Sequence, residues 1–167
     1  MTLARTDGGP FEPAGVVWQP VSPRLATARL ATAAITLGVP MLVAAGAAVM
    51  SGAGWVWAVA AVPALLLAWC VVVVPRQVRA IGYAERADDL LIRKGIVLRT
   101  MVVVPYGRMQ YVDVQAGPLA RACGIAQVQL HTASPGTDAA IDGLPPDEAA
   151  RLRDALAARG EARLAGL

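Results

Sequence analysis

The chain has 167 residues, 56% of them hydrophobic and 16% charged, with a formal net charge of +3 and a mean hydropathy of +0.53. Soluble domains carry about 45–50% apolar and about 25% charged residues, so the composition excludes an ordinary soluble globule and equally a disordered chain. The deficit of charge is local: from Leu30 to Pro75 there is no Asp, Glu, Lys, Arg or His. One spanning helix needs about 20 apolar residues, and this stretch is long enough for two crossings and a turn.

In chain order, residues 1–24 form an N-terminal segment. Its first part, Thr2 to Gly15, carries Pro and Gly at several positions and reads as a flexible tail. Residues 25–75 read as a transmembrane hairpin, with helices over about 30–50 and 55–74. Ser51-Gly52-Ala53-Gly54 supplies the turn between them. Trp55 and Trp57 follow that turn, and Trp18 precedes the hairpin, where amphipathic rings settle at the headgroup level. Pro40 and Pro63 lie inside the spans, which lipid tolerates when neighbouring groups re-satisfy the freed backbone. A cleaved signal peptide is the competing reading of the first span, but its apolar stretch is too long and begins some way into the chain.

Arg24 and Arg29 precede the first span, Arg76 and Arg79 follow the second, and the turn between carries no basic residue. Positive residues stay on the cytoplasmic side, so the expectation is a multi-pass cell-membrane protein with both termini cytoplasmic. Gly38, Gly46, Ala45, Ala48, Ala58 and Ala60 allow close helix approach, either between the two helices or with another membrane protein. The absence of charge within the spans argues against an ion or proton pathway.

From residue 76 onward the texture changes to short β-branched runs divided by Gly and Pro. Strands are expected at Val78–Tyr83, at Leu90–Ile92 with Arg93 extending it, and at Val97–Val104. Val112 and Val114 alternate with Tyr111, Asp113 and Gln115. Val128, Leu130 and Thr132 alternate likewise with Gln127, Gln129 and His131. Ala139–Ile141 is a short sixth strand. Pro145-Pro146-Asp147-Glu148 then starts a helix, with proline and acids in the first turn, an apolar stripe of Ala149, Leu152 and Leu156, and Gly160 as its stop. Residues 76–159 thus form one cytoplasmic domain and 160–167 a C-terminal tail.

These residues carry a resemblance. Arg-Ala-Ile-Gly-Tyr (79–83), Asp89 with Leu-Ile-Arg-Lys-Gly (91–95), Val-Pro-Tyr-Gly-Arg-Met-Gln (104–110), Leu119 to Gly124, Val128 to Ala133 and Ile-Asp-Gly-Leu (141–144) stand in an order similar to that of the bacterial pleckstrin-homology-like domain of YdbS-like membrane-flanked proteins. Trp18-Gln19-Pro20 and Ser22-Pro23-Arg24 resemble the segment leading into that family's first helix. The resemblance covers roughly Trp18 to Ala157. It implies an α+β membrane protein in which the hairpin is followed by a bent, antiparallel, seven-stranded PH-like β-barrel capped by the C-terminal α-helix. That is one strand more than the alternation reveals. It also implies a larger membrane partner carrying several copies of the domain, and it supplies no catalytic residues.

No catalytic, cofactor-binding or metal site emerges from the residues. Cys70 and Cys123 belong to no Cys-x-x-Cys or Cys/His cluster, and His131 is the single histidine, expected on a strand surface. Ser51 and Ser134 lack a nucleophile-elbow context. Asp88-Asp89 reads as a turn, since neighbours on a strand face opposite ways. What remains is charge: Arg76, Arg79, Arg86, Arg93, Lys94, Arg99 and Arg108 outnumber Glu85, Asp88 and Asp89 just after the bilayer exit. Anionic lipid attracts each nearby cation by about 1 kcal/mol, so these seven are possible lipid-headgroup contacts, with a solvated strand face as the plainer alternative. Nucleic acid is not expected, because no aromatic residues interleave the cations. The expected function is a non-enzymatic, membrane-anchored scaffold or binding module for protein partners or anionic lipid. The alternative is a subunit of a larger transport or envelope-stress assembly with a tandem PH-like partner. No cofactor is expected, and the oligomeric state stays open.

Overall fold

A computed structural model describes residues 15–52, 54–132 and 139–164; most of the N-terminal tail, Ser134 and the last three residues lie outside the described residues. The uncharged stretch folds as two helices, α1 (Arg24–Ser51) and α2 (Gly54–Arg79), packed antiparallel along their lengths. At 1.5 Å per residue they are about 42 Å and about 39 Å long, more than the roughly 30 Å hydrocarbon layer. The outward surface is apolar, with Ile35, Leu42, Val43, Leu65, Trp69 and Val71 largely exposed, which is the opposite of a soluble core helix. α1 ends on Gly52, whose φ of 63° permits the left-handed cap, and its N–H donates to the Ala48 carbonyl at 3.2 Å. Pro40 and Pro63 line one shallow groove between the helices with Ala44, Ala58, Val59 and Leu66.

Both helices reach further than the uncharged stretch. α1 begins at Arg24 rather than Leu30, and α2 continues through Pro75 to Arg79. The strand expected at Val78–Tyr83 therefore begins only at Gly82. Packing overrides β-propensity here: Val78 on the last helical turn is buried in the domain core. The helix closes with the Ala80 N–H donating to Arg76 and Gln77 carbonyls and the Ile81 N–H to that of Val78.

The remainder forms two antiparallel sheets. β1 (Gln19–Pro20), β2 (Gly82–Glu85), β3 (Asp89–Lys94) and β4 (Thr100–Pro105) make the first in that order, while β5 (Met109–Gln115), β6 (Ala126–Thr132) and β7 (Ala139–Leu144) make the second. The seventh strand that alternation does not reveal is β1, two residues contributed from before the hairpin. The sheets do not close into a continuous barrel. Pro105 ends β4, a single 3-10 turn (Tyr106–Arg108) turns the corner, and β4 and β5 do not pair. The fourth strand starts at Thr100, not Val97, because Lys94 pairs with Thr100 and leaves 95–99 as the loop. A short helix α3 (Pro118–Ala122) links β5 to β6.

Helix α4 (Pro146–Leu164) opens as expected, with Asp147 and Glu148 in its first turn, and lays Ala149, Leu152 and Leu156 on the sheets. It runs past Gly160, which is buried rather than terminal. A Cβ there would lie 3.8 Å from the Tyr106 carbonyl, an ordinary van der Waals contact, so this turn of the helix packs against the corner turn. Arg159 and Arg163 on the same stretch reach Glu85 and Asp88, which holds the last turns down.

One core serves hairpin and domain together. Val21, Leu25 and Ala28 from the first helix and its approach, and Val78 and Ile81 from the end of the second, are buried with Tyr83, Leu90, Ile92, Val128, Leu130 and Ile141. The Ser22 N–H donates to the Gly143 carbonyl at 2.8 Å, and Arg29 pairs with Asp142 at 3.1 Å, tying α1 to β7.

Candidate functional site

The β3–β4 hairpin points its loop back toward the helices. In β3, Arg93 pairs opposite Met101 and Lys94 opposite Thr100, and then Gly95 turns the chain with φ 97°. A Cβ at Gly95 would fall 1.9 Å from the Leu98 carbonyl oxygen, so only glycine makes this turn. The consequence is a cleft of about 220 Å³ lined by Ala80, Arg93, Lys94, Gly95, Ile96, Arg99 and Thr100. Beside it a second cleft of about 390 Å³ joins the loop residues Ile96, Val97 and Leu98 to Arg29 of α1, Val73 and Gln77 of α2, and Ile81 just after α2.

Arg93 is fixed rather than solvated freely. Its guanidinium lies 4.5 Å from the centre of the Trp18 ring. Gly82 of β2, which pairs with Pro20 on one side and Arg93 on the other, makes room: a Cβ there would stand 3.2 Å from Arg93 Nε and 3.3 Å from the Gln19 carbonyl. Trp18 is thus half-buried under an arginine, whereas Trp55 and Trp57 are exposed at the start of α2.

The structure divides the seven sequence-selected cations. Arg93, Lys94 and Arg99 share the cleft, and Arg76 and Arg79 are exposed on the last turn of α2. Arg76 folds back to donate to its own helix's Val72 carbonyl at 2.8 Å. Arg86 and Arg108 lie beyond the opposite end of β3, about 17 Å away at 3.3 Å per residue. Arg86 there pairs with Asp89 at 3.5 Å. Arithmetic on charge cannot see this split, because a strand carries adjacent sequence positions to opposite ends of a domain. The apolar loop residues were hidden for a different reason: Val97 and Leu98 stand just before Thr100–Val104 and read as the start of that same strand, with Ile96 left outside it.

The far end is a structural clamp. Glu85 accepts from Arg151 at 2.6 Å and from Arg159 at 2.8 Å, Arg151 also reaches Glu148 at 2.7 Å, and the Tyr83 hydroxyl donates to Glu148 at 2.7 Å. The hydrogen bond from Arg151 holds the Glu148 carboxyl below its ordinary range, against the opposing effect of burial. Burial raises the Tyr83 phenol well above its ordinary value, helped by Glu148, and burial likewise raises Tyr106, whose hydroxyl Arg159 contacts. His131 stacks on Tyr111 with ring centres 4.2 Å apart across the β5–β6 pair. Among the described residues no group of three or more His, Cys, Asp or Glu is placed to hold a metal ion.

A family model described as the bacterial PH domain matches residues 25–160. The chain belongs to the bacterial PH domain family. The match takes in both the helical hairpin and the sheets. It is also similar to the UPF0699 transmembrane protein YdbS of Bacillus subtilis (strain 168), 38% identical over 74 residues, which is 44% of this chain and 45% of that protein. The aligned part thus spans less than half the length of this curated relative. No solved structure matches. With a transmembrane relative and two apolar helices exposed along their length, this bacterial PH domain protein is a membrane protein of the YdbS-like kind.

Proposed function

We propose that the protein is a non-enzymatic, membrane-anchored binding module whose cleft at the end of α2 engages anionic headgroups of the cytoplasmic leaflet. The observation that carries this reading is the position of Arg93, Lys94 and Arg99 around one opening that also includes Ala80, one residue beyond the membrane helix. A cation held within a Debye length of an anionic surface gains about 1 kcal/mol. Because the hairpin tethers the domain, that attraction need only orient it and not recruit it. The Arg flanks of both helices support a cytoplasmic placement of the domain.

Reconstitution of the full chain into nanodiscs of neutral or anionic phospholipid, followed by amide hydrogen exchange over residues 92–101, tests the proposal. Protection is expected to be greater in anionic discs, and Lys94→Glu with Arg99→Glu should abolish the difference. Equal exchange in both lipids would overturn the lipid-headgroup role. Arg93 is left unchanged because its contact with Trp18 makes it part of the fold.

A further inference from the structure

We infer that the β3–β4 loop is a hydrophobic wedge, with Ile96, Val97 and Leu98 inserted into the acyl–headgroup boundary of the same leaflet and Lys94 and Arg99 bracketing it at headgroup level. The inference rests on the reading above that this side of the domain meets a bilayer, and it adds a non-electrostatic contact to it.

Three observations converge on this loop. First, Val97 and Leu98 are 93% and 85% exposed, and Ile96 is also exposed. Single exposed apolar residues are ordinary, but three in succession on a tight turn are a defect in water unless something covers them. Second, the turn is specified: Gly95 takes φ 97° with the Leu98 carbonyl packed where a Cβ would stand, a close approach that only glycine permits. Third, the same cleft that the three residues line contains Val73 and Gln77 of α2. Val73 belongs to the uncharged stretch, one helical turn before Arg76, the first charge after it. From Val73 to Arg79, where α2 ends, the helix axis rises about 9 Å, while a headgroup layer is roughly 5–8 Å thick. A loop facing that length of helix reaches through the headgroups to the edge of the hydrocarbon.

The pattern along the loop matches the gradient it would cross. Lys94 and Arg99 stand at its two shoulders, with the apolar residues between them. Long cationic side chains keep their heads at the interface while their stems lie in apolar surroundings. A second copy of this chain is the rival occupant, but the continuity of the cleft with a membrane-spanning helix favours lipid.

The test uses the full chain with Cys70→Ala and Cys123→Ala, one Val97→Cys substitution, and an environment-sensitive fluorophore on that cysteine, at one copy per nanodisc. Val97 is too exposed for the change to disturb packing, and the same label at Arg153→Cys on the outer face of α4 serves as the aqueous reference. The expected result at position 97 is blue-shifted emission, protection from iodide, and quenching by nitroxides on shallow acyl carbons, in neutral and anionic discs alike. Water-like emission with iodide quenching equal to that at position 153 would overturn the wedge. So would shielding that appears only when discs hold two copies. Should Lys94→Glu with Arg99→Glu fail to alter exchange in anionic discs while position 97 stays shielded, the headgroup reading falls and the wedge stands.

Discussion

Gly143 faces Leu25 so closely that a Cβ on the glycine would lie 2.7 Å from the Cβ of the leucine. The two residues belong to β7 and to the first turn of α1, so the joint between the sheets and the membrane hairpin is a backbone-to-side-chain contact with no slack. Gly143 also has φ 79°, and its carbonyl accepts the Ser22 N–H.

Gly143→Ala is therefore expected to destabilise the domain twice over. Left-handed backbone costs a residue with a Cβ about 1–2 kcal/mol, and overpacking adds about 1–3 kcal/mol. Thermal unfolding in detergent measures the loss. Leu25→Gly, which removes the opposing Cβ together with Cγ and Cδ2, should relieve the second part only, so the double variant is expected to lose less than the sum of the singles. Strict additivity would show that the contact is not felt.

The polar clamp on α4 gives a pH dependence with a defined sign. Arg151 lowers the folded-state pKa of Glu148 below its ordinary value of 4.5. The associated stability is thus present above that value and disappears as pH falls through the lower, folded one. Glu148→Gln is expected to cost about 1 kcal/mol at neutral pH and to flatten stability between neutral pH and the acid limb. Parallel pH profiles for wild type and variant would contradict the assignment.

Cutting the chain at the end of the membrane hairpin should not yield a sound domain. A fragment of residues 76–167 lacks β1 and the buried Val21, Leu25 and Ala28. Removing one buried leucine side chain alone costs about 2–5 kcal/mol, against a whole-domain stability of about 5–15 kcal/mol. The fragment is expected to show weak near-ultraviolet circular dichroism and rapid proteolysis. A chain in which residues 15–29 are joined to residue 76 by a flexible linker should recover both.

Gly95→Ala addresses the loop. With φ 97° and the Leu98 carbonyl 1.9 Å from any Cβ, the turn cannot survive the change, and the register of Lys94 with Thr100 must shift. Faster amide exchange over residues 94–100, with the sheet cores unaffected, is the expected signature. Unchanged exchange would mean that the loop tolerates another geometry.

Much of this fold is legible along the chain because its signals are local. The uncharged run from Leu30 to Pro75 can meet no environment but lipid without a large penalty. The alternation at Tyr111–Gln115 and Gln127–Thr132 is the pleat itself, and the stripe Ala149, Leu152, Leu156 is one face of a helix. The basic site is less legible. Arg86 and Arg93 lie close in sequence, yet β3 carries one to the clamp and the other to the bilayer exit.

What the sequence by itself determined is where water is excluded: the membrane hairpin, the half-buried strands, and the amphipathic helix that closes the domain. Only the tertiary structure decided that Val21, Leu25, Ala28 and Val78 enter one core with the sheets, that Gly160 lies inside a helix, and that the apolar loop stands beside Val73. Hydropathy and periodicity are properties of neighbours along the chain. Which distant segments share a core, and which cations share an opening, depends on contacts that the covalent order leaves free.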